Sequence, residues 1–361
     1  MSTFKPAKPI KVGVVGATGA VGQRFIQQLE GHPWFELTAI GGSERTQGKK
    51  YGSVGGWRLS ANVPEYVRNM TLVEGLPGKN WDCDVIFSSL PSDIAGDIEE
   101  RFAAAGYKVF SNARNHRNDP DVPLMIPEVN PEHSAILPYQ QRNRGWDKGF
   151  IVTNPNCTTI HLVLALKPLQ DAFGLKKVLV TSLQSLSGAG YPGVPSLDII
   201  DNVVPFIDGE EAKVETEPLK LLGLLTDEAT KFQNADFLIS ATCTRVAVRE
   251  AHTESVSLEL GRKVGINEVA AALQEFQAEP QRLGLPSAPA HPVLLRAEPD
   301  RPQPFLDREG DGAMATTVGR LRPCQILDYK FVLVGHNTIR GAAAASILNA
   351  ELLVAQGYIG K

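Results

Sequence analysis

Ile10-Lys11-Val12-Gly13-Val14-Val15-Gly16-Ala17-Thr18-Gly19-Ala20-Val21-Gly22 decides how the first half of the chain folds. Its first six residues read as a short apolar strand. Three glycines follow at GxxGxxG spacing, and Phe25, Ile26 and Leu29 then recur at a helical period. Strand, glycine turn and helix in that order form the context in which a glycine fingerprint binds a dinucleotide. Glycines let the backbone approach a pyrophosphate and let the helix lie close to the strand. The free N–H groups at the helix start then hold the anion. The same glycines would also serve packing alone, and their position between strand and helix favours the cofactor.

The next strand, Phe35 to Ile40, runs into Gly41-Gly42-Ser43-Glu44-Arg45 and then Lys49-Lys50. An NAD site carries an acidic residue near this strand end, on the ribose 2′-hydroxyl. Here Glu44 lies past that position. Ser43 can hydrogen-bond a 2′-phosphate and Arg45 can pair with it, which favours NADP over NAD. The competing reading is a solvated basic loop. Asp84 to Pro91 is another apolar strand, ending in Ser88 and Ser89, and Ala103 to Phe110 passes through a Gly106 stop into a further strand. This β-α-β alternation predicts a doubly wound parallel sheet, with Gly16 and Ser89 at the carboxyl edge where ligands lie. Arg114 and Arg117 follow a strand end and suggest an anion site; the alternative is a pair of surface arginines.

Thr153-Asn154-Pro155-Asn156-Cys157-Thr158-Thr159-Ile160 places one cysteine at the mouth of an apolar, hence buried, helix. Free backbone N–H groups and the helix dipole favour the thiolate there, and the thiolate is the nucleophile. The same N–H groups suit a developing oxyanion. The bland alternative is a small apolar residue packed at a helix start. Beyond it, Lys177 to Leu186 reads as a strand ending in the glycine-rich loop Ser187 to Gly193. Asp208 to Glu217 opens an acidic helix running to Leu225, whose charges by themselves complement the helix dipole. Lys213 interrupts that acidic run. If Arg245 to Ala251 is a strand, Arg245, Ala247, Arg249 and Ala251 share one face and His252 sits at its end, free to exchange protons. Cysteine–histidine partners are normally distant in sequence, which makes His252 a candidate, with His116, His291 and His336 as rivals. His161 lies one turn inside the apolar helix. Ala315 to Leu321 and Lys330 to Val334 read as strands, and Gly335 to Gly341 as the cap of a long apolar helix through Leu353 that packs back on the first domain.

At 361 residues the chain is too long for one ordinary core, and two domains are expected. A net charge of -4 offers no basic field for nucleic acid or an anionic membrane. No apolar run approaches the ~20 residues needed to span a bilayer. Met1 to Lys11 lacks an apolar signal core, so a cytoplasmic protein is expected. Cys83, Cys157, Cys243 and Cys324 form no CxxC pair, which argues against structural zinc and disulfides; no metal is expected.

Together these motifs resemble the aspartate-β-semialdehyde dehydrogenase family, over essentially the whole chain. Ser111 to Arg117, Ile126 to Asn130, Ser187 to Gly193 and Gly209 to Lys213 match its archaeal and fungal branch. The resemblance implies an α/β chain: a Rossmann-like NADP-binding domain over residues 1–155, completed by a C-terminal helix over 336–361, plus an α+β catalytic and dimerisation domain with a mixed sheet over 156–335. It implies Cys157 as nucleophile and His252 as general acid/base. Gln184, Arg245 and Glu210 (or its neighbour Glu211) would hold the substrate, and Arg117, Asn156 and Lys213 the phosphate. Gly16, Thr18, Gly19, Ala20, Val21, Ser43, Arg45, Ser89, Ser187, Gly188, Gly190 and Asn337 would line the NADP site. The implied reaction is NADPH-dependent reductive dephosphorylation of aspartyl phosphate to aspartate semialdehyde, by a homodimer or homotetramer. The alternatives are a malonyl-CoA reductase-like enzyme, which has no use for an ammonium-binding Glu210, a reductase of N-acetylglutamyl phosphate, and a non-catalytic NADP-binding protein.

Overall fold

A computed structural model of the protein describes residues 5–360. Met1 to Phe4 and Lys361, at the edges of the expected first domain, lie outside the described residues. Six strands build the first sheet: β1 (Ile10–Val15), β2 (Phe35–Gly42), β3 (Leu72–Glu74), β4 (Val85–Ser88), β5 (Lys108–Ser111) and β6 (Phe150–Thr153). Their order is β3-β2-β1-β4-β5-β6, all parallel. The chain reverses direction across the sheet between β1 and β4, and that switch point opens a crevice at the strand ends. Gly22 shows why the fingerprint needs its third glycine. A Cβ there would meet the Gly16 carbonyl oxygen at 2.2 Å, so only glycine lets the helix Ala20–Leu29 lie on β1.

Eight further strands follow in sequence. β7 (Leu175–Gln184) enters the second sheet, β8 (Leu224–Leu225) and β9 (Phe232–Gln233) form a small hairpin, and β10 (Leu238–Arg245) and β11 (His252–Leu260) return to the sheet. β12 (Val293–Leu295), β13 (Thr316–Pro323) and β14 (Tyr329–Gly335) complete it, in the order β10-β7-β11-β14-β13-β12. The β7–β10 and β12–β13 pairs are parallel and the other three antiparallel, so this sheet is mixed.

Three expectations about elements need correction. Arg245 to Ala251 is not a strand: β10 stops at Arg245, the chain turns, and His252 opens β11 rather than ending a strand. The turn is tight, with Val248 N–H donating to the Val246 carbonyl (2.8 Å) and Ala251 at φ 81°. The acidic helix spans Glu210–Leu221 and stops short of Leu225. The C-terminal helix, Ala344–Ala355, is preceded by a π-helical turn, Ile339–Ala343, in place of a simple cap.

The cysteine helix, Cys157–Phe173, is apolar all round because it is covered all round. Leu162, Ala165, Leu166 and Leu169 pack on the second sheet with Val256, Leu258 and Phe331. Ile160, Val163 and Leu164 pack against Leu124, Ile126 and Ala345, toward the first domain. As expected, the C-terminal helix returns to the first domain: Ile347, Leu348, Leu352 and Leu353 share one core with Val12, Val14, Phe25 and Phe87. Arg340, in the π turn, makes a bidentate pair with Glu128 at 3.0 and 2.6 Å, and both side chains are fully buried. Removing one partner strands a buried charge. Arg340→Leu is therefore expected to destabilise the protein by about 3–5 kcal/mol in urea unfolding, and a loss below about 1 kcal/mol would show that the pair contributes little.

Candidate active site

Asn156 is the N-cap of the cysteine helix. Its side-chain oxygen accepts from Thr158 N–H (2.9 Å) and Thr159 N–H (3.2 Å), which closes the first turn behind Cys157. Its side-chain nitrogen donates to Glu210 Oε1 (2.7 Å), and its backbone N–H donates to Glu217 Oε2 (2.6 Å). Glu210 also accepts from Lys213 Nζ (2.8 Å), and Glu217 from Arg117 Nη1 (2.8 Å). A continuous chain, Arg117–Glu217–Asn156–Glu210–Lys213, thus rings the cysteine. Gln184, at the end of β7, reaches Glu210 as well. Glu211 points the other way and accepts from the backbone N–H of Cys243 (3.0 Å), so Glu210 is the acid that faces the cysteine.

Cys157 Sγ lies 3.2 Å from His252 Nε2. The Ser185 backbone N–H donates to His252 Nδ1 (3.0 Å), which puts the ring proton on Nε2, facing the sulfur. Arg245, at the end of β10, donates to the Ser185 carbonyl (2.7 Å) and so braces the same residue. Gly188 covers this corner: a Cβ there would stand 2.9 Å from Arg245 Nη1 and 3.2 Å from His252 Cε1. Gly341, from the π turn, closes the other side, where a Cβ would meet Cys157 Cβ at 2.8 Å.

The electrostatics correct one expectation. Burial pushes the Cys157 thiol up to about 12, with Glu210 adding to the rise; Arg117, Arg245 and the first-turn N–H of Thr158 oppose it and lose. Burial likewise holds the His252 imidazolium well below its ordinary range. The ligand-free pair is therefore thiol and neutral imidazole. Glu254, two residues on and fully buried, has no hydrogen-bond partner among the described residues, and burial raises its carboxyl well above the usual range, so it is a neutral acid.

The other histidines are placed elsewhere. His161 Nδ1 lies 2.8 Å from Thr316 Oγ1, His116 pairs with Asp119 (3.0 Å), His336 lies 3.3 Å from Glu250, and His291 is exposed. At the switch point a cavity of about 1020 Å³ is lined by Gly16, Thr18, Gly19, Ser43, Arg45 and Ser89, six of the residues expected at the cofactor. Glu44, Glu74, Gly75 and Leu76 line it too, and only Glu44 was noticed. Ala20 and Val21 form the first helical turn beside the cavity. Ser187 and Asn337 hydrogen-bond one another (2.8 Å), and Ser187 lies next to Gly188 on the His252 side, with Gly190 capping the turn. Glu217 was missed, although its seven-residue spacing from Glu210 puts both on one helix face. A second cleft of about 540 Å³, bordered by Arg296, Arg320 and Arg322, contains neither cysteine nor histidine and lies apart from this chemistry.

A cysteine–histidine pair joined to a dinucleotide fold is the arrangement of an NAD(P)-dependent dehydrogenase. Residues 11–136 match the semialdehyde dehydrogenase NAD-binding domain, and residues 166–340 the semialdehyde dehydrogenase dimerisation domain. An aspartate-semialdehyde dehydrogenase of Archaeoglobus fulgidus is 54% identical over 96% of this chain and 99% of its own length. One from Candida albicans, solved with NADP, superposes with a TM-score of 0.90 at 43% identity, covering 98% of this chain and all of that one. Aspartate semialdehyde dehydrogenase II from Vibrio cholerae, complexed with ASA, gives 0.73 at 26% identity, covering 97% and 100%. The chain belongs to the aspartate-semialdehyde dehydrogenase family.

The raised pKa of the thiol makes a measurable statement. The ultraviolet thiolate absorbance of ligand-free wild type minus Cys157→Ala is expected to show no step up to the ordinary thiol value of 9.0. A step near neutral pH would mean that the helix start and the arginines outweigh burial.

Proposed function

We propose that the protein catalyses the NADPH-dependent reductive dephosphorylation of L-4-aspartyl phosphate to L-aspartate 4-semialdehyde, which serves synthesis of lysine, methionine, threonine and isoleucine. One observation carries the reading: the thiol and imidazole, 3.2 Å apart, are ringed by two cation–carboxylate pairs and a buried arginine. That set suits a substrate with a phosphate at one end and an amino-acid head at the other. We assign the phosphate to Arg117, Lys213 and Asn156, the substrate carboxylate to Arg245, the ammonium to Glu210, and a contact with the acyl group to Gln184. Glycine-lined walls at a helix start, with Ser43 and Arg45 at the far strand end, fit NADP. Gly16, Thr18, Gly19, Ala20, Val21 and Ser89 would hold its phosphates and Ser187, Gly188, Gly190 and Asn337 its nicotinamide end. Bound there, NADPH supplies hydride to the acyl carbon.

The chain's own residues do the rest. Cys157 Sγ attacks the acyl carbon and the carbon–oxygen bond to phosphate breaks. The thiol proton leaves on the departing group as hydrogen phosphate, leaving a Cys157 thioester. Covalent capture splits one difficult step into two easier ones. Once hydride has reached the acyl carbon, His252 shares its Nε2 proton with the oxyanion and takes it back as the carbon–sulfur bond breaks. Cys157 leaves as thiolate and regains its resting proton from solvent, so one proton is consumed per turnover. The Ser185 N–H holds the ring with Nε2 aimed at the reacting atoms throughout. Arg245, braced on Ser185, ties the substrate's head to the same point.

Residues 1–155 with 336–361 form the cofactor unit in this assignment, and 156–335 the catalytic and dimerisation unit. We assign a homodimer or homotetramer, formed through the outer face of the second sheet. Leu179, Leu183 and Leu238 are exposed there, with Ile200 and Phe206 exposed on the segment before the acidic helix. Four free cysteines support work in the reducing cytoplasm, and among the described residues no helix is long and apolar enough to cross a membrane.

The deciding assay follows NADPH formation from aspartate semialdehyde and phosphate; turnover with malonyl-CoA instead would overturn the substrate. Cys157→Ala is expected to abolish turnover while retaining NADP affinity, and near-normal turnover refutes the covalent route. Arg245→Ala is expected to raise KM for the semialdehyde by about 30-fold or more, from the ~2–5 kcal/mol cost of an unpaired buried charge; an unchanged KM removes it from the substrate site. Leu238→Glu is expected to shift the protein toward monomer in light scattering, and an unaltered mass places the interface elsewhere.

A further inference from the structure

The turn that delivers His252 to the cysteine is held by residues from far away in the chain. Ala251, immediately before the histidine, is fully buried at φ 81°, a conformation that side chains other than glycine adopt only under constraint. Its N–H donates to Asn337 Oδ1 (2.9 Å). Glu250, one residue earlier, reaches outward in two directions. Its Oε1 accepts from Arg24 Nη2 at 2.6 Å, and its Oε2 lies 3.3 Å from His336 Nε2. His336 Nδ1 accepts the N–H groups of Thr338 (3.4 Å) and Ile339 (3.3 Å), so its ring proton sits on Nε2, the nitrogen nearer the carboxylate. Arg24 belongs to the glycine-turn helix Ala20–Leu29, and its Nε donates to Thr338 Oγ1 (3.1 Å). His336 and Arg24 hold the Glu250 carboxyl down to about 2, so it stays an anion across the working range.

We propose that Glu250 is a positioning residue for His252, clamped between Arg24 of the dinucleotide-binding helix and His336, so that the first domain sets the angle at which the imidazole meets the cysteine. The inference rests on the reading of His252 as the acid/base. Its logic is mechanical. A backbone held at positive φ relaxes when its restraints go, and relaxation at Ala251 swings the first bond of the next side chain. His252 Nε2 is 3.2 Å from the sulfur, a distance a small swing destroys. Misplacement by about 1 Å costs on the order of a hundredfold in rate. Asn337 restrains the amide of Ala251 and Glu250 anchors the residue before it, so the strained peptide is fixed from both sides. The glycine loop repeats the pattern: Leu186 N–H donates to the Val248 carbonyl (2.8 Å) and Ser187 N–H to Arg249 (3.1 Å), which docks it on this same turn.

The test uses the full chain. Glu250→Gln keeps the side chain's shape and removes its charge. Its kcat is expected to fall about 10- to 100-fold, while KM for aspartate semialdehyde and the Kd for NADP, by calorimetry, stay within about twofold. Arg24→Met is expected to lower kcat similarly, and the double variant to be no worse than the more impaired single one, because both cut one clamp. Ala251→Gly, which accepts the positive φ without strain, covers the case in which the clamp variants fold poorly; in that background Glu250→Gln is expected to lose less kcat than it does in wild type. The proposal is overturned if Glu250→Gln keeps kcat within about twofold of wild type while His252→Gln abolishes turnover, or if the two clamp losses simply add. It is equally overturned if the loss of kcat in every variant matches a loss of folded protein. Retained turnover in His252→Gln would instead remove the acid/base reading beneath it.

Discussion

Asn156 makes three commitments at once, and the site depends on all of them. Its side-chain oxygen closes the first turn of the cysteine helix, its amide donates to Glu210, and its backbone donates to Glu217. The residue stands between the end of β6 and the start of that helix, so it fixes where the first domain hands the chain to the second. Asn154, two residues earlier, secures the same joint from behind through the Ala342 carbonyl (2.8 Å), Ser346 (2.7 Å) and Asn349 (2.8 Å). The cysteine is thus pinned by hydrogen bonds to both domains before any substrate contact is considered.

That pinning carries an electrostatic cost. A helix start and two arginines pull the thiol toward ionisation, yet burial and the Glu210 carboxylate pull harder the other way. The carboxylates are needed, since each holds one cation in place: Glu217 for Arg117 and Glu210 for Lys213. Such pairs keep a highly charged site stable. Arg117 Nε has no partner at all among the described residues. The neutral resting pair then follows from burial, with the Glu210 carboxylate adding to it at the sulfur.

Local patterns in the chain made the first sheet, the glycine turn and the cysteine helix legible, because each rests on residues adjacent in sequence. Gly16, Gly22 and Cys157 could be assigned without knowing what lies across the fold. The failures share the opposite cause. The segment Arg245 to Ala251 alternates like a strand, but His252 must reach the sulfur, and the chain leaves its extended course after Arg245, turning through Ala251 to get it there. The acidity of the thiol was misjudged because burial is set by the π turn and the glycine loop, both remote in sequence from Cys157. Glu217 stood among four glutamates whose simplest role is to complement a helix dipole, and its bonds to the Asn156 amide and to Arg117 separate it from them. The choice of Glu210 over Glu211 was likewise a matter of which side of the helix meets β10.

The π turn Ile339–Ala343 and the helix after it bear on how the molecule is made. Translation delivers the strands of the first sheet early, yet Ile347, Leu348, Leu352 and Leu353, which cover one of its faces, emerge only after every strand of the second sheet. Gly341, which must lie against Cys157, comes out with them. On the ribosome the first domain therefore waits with an apolar face bare, and the second folds beside an incomplete neighbour. Nascent chains of this enzyme carry a long window of exposure to chaperones and to aggregation, and catalytic competence waits for the helix that closes this core.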